Sequence, residues 1–106
     1  MNSINEYAKW TDKTWKWEGT EEKDLTLATL GLAGETGEFV EKIKKYLRDG
    51  TLDKEAVAKE LGDVIYYWSR LCIFLGLTPT DILALNIKKL EDRAARNTLH
   101  GSGDNR

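Results

Sequence analysis

Apolar side chains recur along most of this 106-residue chain at the 3.6-residue period of an amphipathic α-helix. Two long stripes of this kind predict helices over residues 21–48 and 53–75. The first stripe consists of Leu25, Ala28, Leu32, Phe39, Ile43 and Tyr46. The second stripe consists of Val57, Leu61, Val64, Trp68, Leu71 and Leu75. No segment alternates at the two-residue period of a strand, so the expected fold is all-α.

Shorter signals predict two further helices and the breaks between them. A looser apolar pattern predicts a first helix over about residues 3–17. Thr78 followed by Pro79 is typical of a helix start and predicts a fourth helix that runs to about residue 96. Gly50 and Gly76 follow the two long stripes, and glycine at such a position commonly ends a helix in a left-handed conformation.

Four helices joined by short loops predict an antiparallel four-helix bundle that occupies residues 1–106 as one domain. Residues 1–19 hold the first helix and a break, and residues 98–106 form an irregular tail. Because so small a domain buries its surface inefficiently, we expect the core to be completed by a second subunit.

Composition excludes several classes of partner. Charged residues make up 32% of the chain, but the net charge is only −2, so we expect no binding to nucleic acid polymers or to anionic membranes. No apolar run approaches the roughly 20 residues that span a bilayer, and no signal peptide opens the chain, which predicts a cytoplasmic protein. The single cysteine, Cys72, lies among apolar residues and is expected to be buried and inert.

Two pairs of acidic residues repeat one spacing on the two long helices. Glu35 and Glu38 lie three residues apart, as do Glu60 and Asp63, so each pair shares one helix face. Helical phase places both pairs at the edge of the apolar stripe, and an antiparallel crossing would bring them together. Four carboxylates in one place repel each other unless cations bind there. The alternative is that these acids are solvated and lie beside lysines such as Lys42.

The ligand types indicate which metal such a site would bind. Oxygen ligands without histidine or cysteine favour Mg²⁺, with Mn²⁺ as a substitute, over zinc. A di-iron site would need histidine on these helices, whereas the only histidine, His100, lies in the tail. Mg²⁺ bound by carboxylates commonly shares the phosphates of its substrate, so a phosphorylated substrate is expected.

Basic and aromatic residues supply candidate contacts to such a substrate. Asn86, Lys89 and Arg93 follow one face of the fourth helix, where they could bind phosphate oxygens or remain solvated. Arg106, after the Gly-Ser-Gly of the tail, is a further candidate for phosphate. Trp17 borders the break before the second helix and is the aromatic residue expected to stack on a base. Tyr7, Trp10 and Trp15 are further candidates for stacking, but a position in the core or in a subunit interface is favoured for them. Tyr66, Tyr67 and Trp68 are expected mainly to pack in the core.

With these residues in place, residues 30–106 resemble the MazG-like, all-α nucleoside triphosphate pyrophosphohydrolases. The resemblance rests on the segments GLAGETGEFVEKIKKYLRDG, KELGDVIYYWSRL and NIKKLEDRAARNTLHGSGDNR. It implies that the four acids Glu35, Glu38, Glu60 and Asp63 bind Mg²⁺. It also implies that Lys89 and Arg93 match the basic element of the family, and that the protein forms a homodimer or homotetramer.

The resemblance further implies hydrolysis of a nucleoside triphosphate between its α and β phosphates, which releases a monophosphate and pyrophosphate. Either Glu35 or Glu38 would act as the base toward water. The expected role is the removal of non-standard or excess deoxynucleotides. Two alternatives stay open at this point: a relative directed at dUTP or phosphoribosyl-ATP, and a non-catalytic helical interaction module whose acids are solvated.

Overall fold

The computed structural model describes residues 3–16 and 19–96 of the chain. These residues form helices and no strand, which confirms the all-α prediction. In chain order the elements are α1 (Ile4–Trp10), a 3₁₀ turn (Thr11–Lys13), α2 (Glu21–Asp49), α3 (Lys54–Leu75) and α4 (Pro79–Ala95). The first helix is shorter than predicted because the chain tightens into the 3₁₀ turn after residue 10. Trp17, His100, Arg106 and the predicted tail lie outside the described residues.

The predicted helix ends are set by local hydrogen bonds and by glycine. The side chains of Thr20 and Asp53 each accept a hydrogen bond from the backbone N–H three residues ahead, at the starts of α2 and α3. Gly50 and Gly76 end these helices with φ angles of 79° and 67°. Such angles lie in the left-handed region that glycine adopts without strain, so both predicted terminators are confirmed.

Helices α2 and α3 form an antiparallel hairpin, which is the main packing unit of the chain. Lys42, late in α2, contacts Glu60, early in α3, whereas Gly31 lies against Tyr67 further along α3. The hairpin therefore brings the middle of α2 opposite the middle of α3. This is the crossing that the two acidic pairs require.

The fully buried side chains of the described residues are small or polar. Ala8, Ala28, Cys72 and Pro79 are the buried apolar residues, and Thr11 and Ser69 are also buried with no exposed surface. Small side chains let α1, α2 and α3 approach closely, but they bury little apolar area. Burial raises the pKa of the Cys72 thiol, as expected for an inert cysteine.

Helix α4 departs from the hairpin instead of folding back along it. Its axis turns by 103° from that of α3, and its main contacts are with α1. Two hydrogen bonds join α1 to the start of α4: Asn5 Oδ1 accepts from the backbone N–H of Thr80, and Asn5 Nδ2 donates to Thr80 Oγ1, both at 3.0 Å. Because Thr78 makes no side-chain cap, α1 provides the cap that fixes the start of α4.

Many large apolar side chains of the described residues face solvent in the single chain. The radius of gyration is 16.5 Å, whereas a compact chain of this length would have about 13 Å. The exposed set on α4 comprises Leu83, Leu85, Ile87 and Leu90. The described residues therefore bury little apolar surface within one chain, and completion of the core by a second subunit stays a prediction.

No single helix of the described residues is long and apolar enough to cross a membrane. Helices α3 and α4 pass that test of length and composition only when taken together, across their 103° bend.

Candidate active site

Three carboxylates meet where α2 and α3 cross. Glu35 on α2 and Glu60 and Asp63 on α3 each offer an oxygen, and these oxygens lie within 4.8 Å of one another. We call these three residues the acid cluster. Glu38 is exposed one turn further along α2 and lies outside this group. The structure therefore brings three of the four predicted acids together.

The environment of Glu35 disfavours its ionised form. Desolvation by burial is the largest cause of its raised pKa, followed by the negative charge of Asp63. A hydrogen bond with Glu60 and the charges of Glu60 and Glu38 act in the same direction. The cluster thus holds more negative charge than it can stabilise alone, which is the condition that a bound cation relieves.

The two carboxylate oxygens of Glu60 have different surroundings. Its Oε1 lies 3.7 Å from Lys42 Nζ, so the predicted lysine neighbour is present. Its Oε2 is buried and has no hydrogen-bond partner among the described residues. A divalent cation would satisfy the buried oxygen, and an all-oxygen donor set suits such a hard cation.

An open cavity of about 530 Å³ lies beside the acid cluster. Its described lining combines two of the acids with residues of α1, of the 3₁₀ region and of α3. They are Glu35, Asp63, Gly62, Tyr7, Trp10, Thr14, Tyr66 and Tyr67. We call this space the acid cavity, and we call its residues Tyr7, Trp10 and Thr14 the N-terminal wall. Its size is in the usual range for small-molecule sites.

The aromatic lining includes residues to which the sequence had assigned another role. Tyr66 and Tyr67 are expected to pack in the core from sequence alone, yet both line the acid cavity. The sequence could have predicted this position, because both tyrosines follow Asp63 by three and four residues and therefore share its helix face. Tyr7 and Trp10, two of the proposed stacking residues, face the same space with their rings stacked at 5.9 Å.

A missing side chain in α2 lets Tyr67 take this position. A Cβ on Gly31 would lie 2.3–2.6 Å from three atoms of the Tyr67 ring, far inside van der Waals contact. The ring therefore lies on the α2 backbone one turn before Glu35, and desolvation followed by the charge of Glu35 raises the Tyr67 pKa. In contrast, a Cβ on Gly34, on Gly37 or on Gly62 would meet nothing within 4 Å.

The predicted phosphate ligands of α4 lie elsewhere in the single chain. The described lining of the acid cavity contains no residue of α4. Asn86 lines a separate apolar groove between α1, α3 and α4. Arg93 is buried and Lys89 is half-buried, and both have interaction partners. Their roles, like those of Trp17 and Arg106, stay predictions.

Comparison with known proteins agrees with this geometry. Residues 23–97 match the MazG nucleotide pyrophosphohydrolase domain. The chain belongs to this family. The matched range contains the acid cluster and α4, but it begins after the N-terminal wall. As a MazG protein, the chain is 40% identical over 87 residues to the Gene 37 protein of Mycobacterium phage L5, covering 77% of this chain and 76% of that protein. No solved structure gives a significant match.

Proposed function

We propose that the protein hydrolyses a nucleoside or deoxynucleoside triphosphate to the monophosphate and pyrophosphate in a Mg²⁺-dependent reaction. The observation that carries this proposal is the acid cluster, with the buried, unpartnered Oε2 of Glu60, beside an aromatic cavity of nucleotide size. Members of the MazG family are nucleotide pyrophosphohydrolases that generally use divalent metals, and the chain belongs to that family. Removal of unwanted deoxynucleotides in the cytoplasm is the corresponding biological role.

The metal would be held by Glu35, Glu60 and Asp63, with Glu38 close enough for its charge to act on Glu35. Mg²⁺ bound there would neutralise phosphate charge and lower the pKa of a water molecule, and Mn²⁺ could replace it. The acids themselves fix the ligand geometry, because they project from two helices that pack directly against each other. Sites built on helices hold such ligands more rigidly than loops do.

Glu38 is the residue that we propose as the base toward water. It is exposed at the rim of the acid cluster, so its carboxylate is available to accept a proton. Glu35 is less suited to this role, because its carboxylate lies among the other acids of the cluster, where it would be engaged as a ligand of the cation. Glu35 would chiefly hold the cation.

The aromatic lining is proposed to bind the base of the nucleotide. The stacked rings of Tyr7 and Trp10 and the edge-to-face pair of Tyr66 and Tyr67 surround the cavity next to the acids. Stacking on such rings contributes about 1–3 kcal/mol per base and discriminates weakly between bases. The surface therefore fits a nucleotide, including dUTP or phosphoribosyl-ATP as alternative substrates.

A second copy of the chain is the partner that we propose for α4. The exposed apolar residues of α4 and the large radius of gyration are typical of a chain that buries more surface on assembly. A homodimer or homotetramer would also allow Asn86, Lys89 and Arg93 to approach phosphates from across the interface. There, Lys89 and Arg93 would stabilise the negative charge that develops on pyrophosphate.

A panel of nucleotides tests the proposal. Wild type should release pyrophosphate and a monophosphate from at least one of the common ribo- and deoxynucleoside triphosphates, dUTP and phosphoribosyl-ATP, only when Mg²⁺ is present. Glu60→Gln should lower the rate at least about a hundredfold, since it weakens the metal site. The matched control is Glu55→Gln, an exposed acid of the same helix that pairs with Lys59 and should retain the wild-type rate.

Identical inertness of wild type and Glu60→Gln across the whole panel would overturn the enzymatic reading and favour an interaction module. Product analysis separates the remaining cases, because orthophosphate in place of pyrophosphate would contradict cleavage between the α and β phosphates.

A further inference from the structure

A buried arginine connects the N-terminal segment to α3 outside the acid cluster. Arg70 is only 3% exposed, and its Nη1 donates to Asp12 Oδ1 at 2.5 Å and to Thr11 Oγ1 at 3.1 Å. Burying a guanidinium is costly unless its charge is paired and its donors are satisfied. The 3₁₀ turn pairs the charge and accepts both hydrogen bonds of Nη1, whereas the buried Nε has no hydrogen-bond partner among the described residues. The burial of Arg70 therefore depends on the placement of that turn.

Aromatic rings complete the surroundings of this arginine. The guanidinium carbon lies 4.6 Å from the centroid of Phe74 and 5.3 Å from that of Trp15, which is cation–π geometry. Trp15 in turn meets Tyr67, a residue of the acid cavity, edge to face at 6.5 Å. One guanidinium thus joins the 3₁₀ turn and the segment that follows it to α3.

The two residues that bind Arg70 lie between the members of the N-terminal wall. Tyr7 and Trp10 precede Thr11 and Asp12, and Thr14 follows them. The side chain of Thr14 hydrogen-bonds to the hydroxyl of Tyr66 on α3 at 2.8 Å, whereas among the described residues no side-chain hydrogen bond joins Tyr7 or Trp10 to α3. Their placement over the cavity therefore relies on the packing of α1 against α3 and α4 and on the anchored turn that follows them.

We propose that Arg70 is a positioning residue, which holds the N-terminal wall over the acid cluster and so sets the affinity of the cavity for its nucleotide. It touches no reacting group, and it acts through Asp12 and Thr11. This inference rests on the proposed function for the identity of the ligand. The contact of Arg70 with Asp12 and Thr11, which we call the tether, does not rest on the proposed function, because it is a property of the free protein.

Asp12→Asn is the variant that tests the tether with least damage to the core. The Asp12 side chain is 54% exposed and does not line the described cavity, whereas any change at Arg70 alters buried packing. Asp49→Asn is a matched control, since Asp49 is 51% exposed and also pairs with an arginine, Arg48, at 2.8 Å. Arg48 is itself solvent-exposed and lies at the far end of α2, so the two pairs differ in the burial of the arginine.

The first readout is amide hydrogen exchange of the free protein. Loss of a hydrogen bond to a buried charge should make the amides of residues 4–13 exchange at least about tenfold faster in Asp12→Asn. Exchange in α2 and α3 should not change, nor should any exchange in Asp49→Asn outside the end of α2. Unchanged exchange over residues 4–13 would overturn the tether.

The second readout is the division of the effect between KM and kcat. A wall that contacts the base equally before and during reaction should raise KM about fivefold or more in Asp12→Asn and leave kcat within about twofold. The shift in melting temperature caused by Mg²⁺ should equal that of wild type, and Asp12→Glu should restore KM in part. Faster exchange with an unchanged KM would show a purely structural tether and overturn the positioning role.

Arg70→Lys gives an independent check on the guanidinium. Lysine keeps the charge but lacks the planar group that stacks on two rings while it donates to the turn. In Arg70→Lys, the amides of residues 4–13 should exchange faster and KM should rise, as in Asp12→Asn. Exchange and KM equal to those of wild type would overturn the assignment to Arg70. A wild-type protein that hydrolyses no nucleotide would overturn the proposed function instead, and hydrogen exchange would still decide whether the tether exists.

Discussion

The two halves of the molecule differ in how far one chain completes them. Around the acid cavity, α1 and the 3₁₀ turn close over the hairpin through an arginine, stacked rings and hydrogen bonds. Around α4, apolar side chains such as Leu85, which is 68% exposed, face solvent. The closed half, which holds the acid cluster, is thus formed within one chain, whereas the open half, which consists of α4 with the predicted phosphate ligands, leaves apolar side chains exposed.

Because of this difference, binding of the metal and binding of the phosphates should depend on different helices. The proposed metal site needs only α2 and α3, because the acid cluster lies on those two helices. The proposed contacts of Lys89 and Arg93 with phosphates need a further approach of α4, because α4 does not reach the described lining of the acid cavity. Changes in the two halves should therefore have separable effects on metal binding and on turnover.

The largest effect is expected from removing one charge of the acid cluster. Glu35→Gln should lower kcat/KM at least about a thousandfold, because it removes a metal ligand from the closed half. Mg²⁺ should raise the melting temperature of wild type but have little effect on this variant. Glu41→Gln is the matched control, since Glu41 is an exposed acid of the same helix that pairs with Lys44. Equal Mg²⁺ shifts in all three proteins would contradict a metal site at the cluster.

A smaller and different loss is expected at Glu38. If it accepts the proton from water, Glu38→Gln should lower kcat about a hundredfold and retain most of the Mg²⁺-induced stabilisation. Loss of both properties together would instead place Glu38 among the metal ligands. Retention of full activity would exclude it from both roles.

The open half is tested by placing a charge on α4. Wild type should be larger than a 12.1 kDa monomer by light scattering, and Leu85→Glu should shift it toward the monomer. Turnover should fall at least about tenfold, because Lys89 and Arg93 would lose their approach to the phosphates. The Mg²⁺-induced shift in melting temperature should survive, since the acid cluster lies within one chain.

Glu91→Gln serves as the control for that experiment, since it changes another exposed side chain of α4 without placing a charge in an apolar patch. A wild-type monomer with full activity would refute the need for a second copy.

The two halves also differ in how well the sequence predicts them. The ends of α2 and α3 follow from neighbouring residues, since Thr20, Asp53, Gly50 and Gly76 act within one helical turn. The acid cluster can be predicted from sequence in the same way, because helical phase and an antiparallel crossing suffice to bring its residues together. Local pattern and one packing rule therefore predict most of the closed half.

The direction of α4 could not be obtained in this way. It goes together with the packing of α4 on α1, which includes the hydrogen bonds between Asn5 and Thr80, and these residues lie 75 positions apart in sequence and carry no periodic signal. Short loops predict an antiparallel neighbour, but the loop after Gly76 permits a crossing at 103° once α1 caps the new helix. Tyr7 and Trp10 were candidates for stacking, but their placement beside the acids was not predicted for a related reason, since Arg70 has the pattern of an ordinary polar position on α3.

A moderate effect on stability is expected at the glycines of α2. Gly31→Ala should destabilise the protein by about 1–3 kcal/mol, because its Cβ would displace the Tyr67 ring, which is held between Tyr66 and Trp15. Gly34→Ala has open space and should stabilise the helix by up to about 1 kcal/mol. Chemical denaturation measures the free energy of unfolding of both variants, and Gly34→Ala should be more stable than Gly31→Ala.

Destabilisation by Gly34→Ala would be informative rather than neutral, because it would show that a second copy packs against this face of α2. A stabilising Gly31→Ala would contradict the close approach of Tyr67.

The smallest effect is a pH dependence of stability in the metal-free protein. The pKa of Glu35 is raised above 4.5, so the folded state binds its proton more tightly than the unfolded state does. Stability from this group is therefore present below that value and is lost as pH rises through the raised pKa. With metal chelated, Glu35→Gln should be slightly more stable than wild type at about pH 7, and this advantage should vanish near pH 4.

Addition of Mg²⁺ at neutral pH should reverse the order, because the ionised carboxylate then has a cation to bind. An advantage of the glutamine variant that grows on acidification would contradict the repulsion between the clustered acids from which the metal site is inferred.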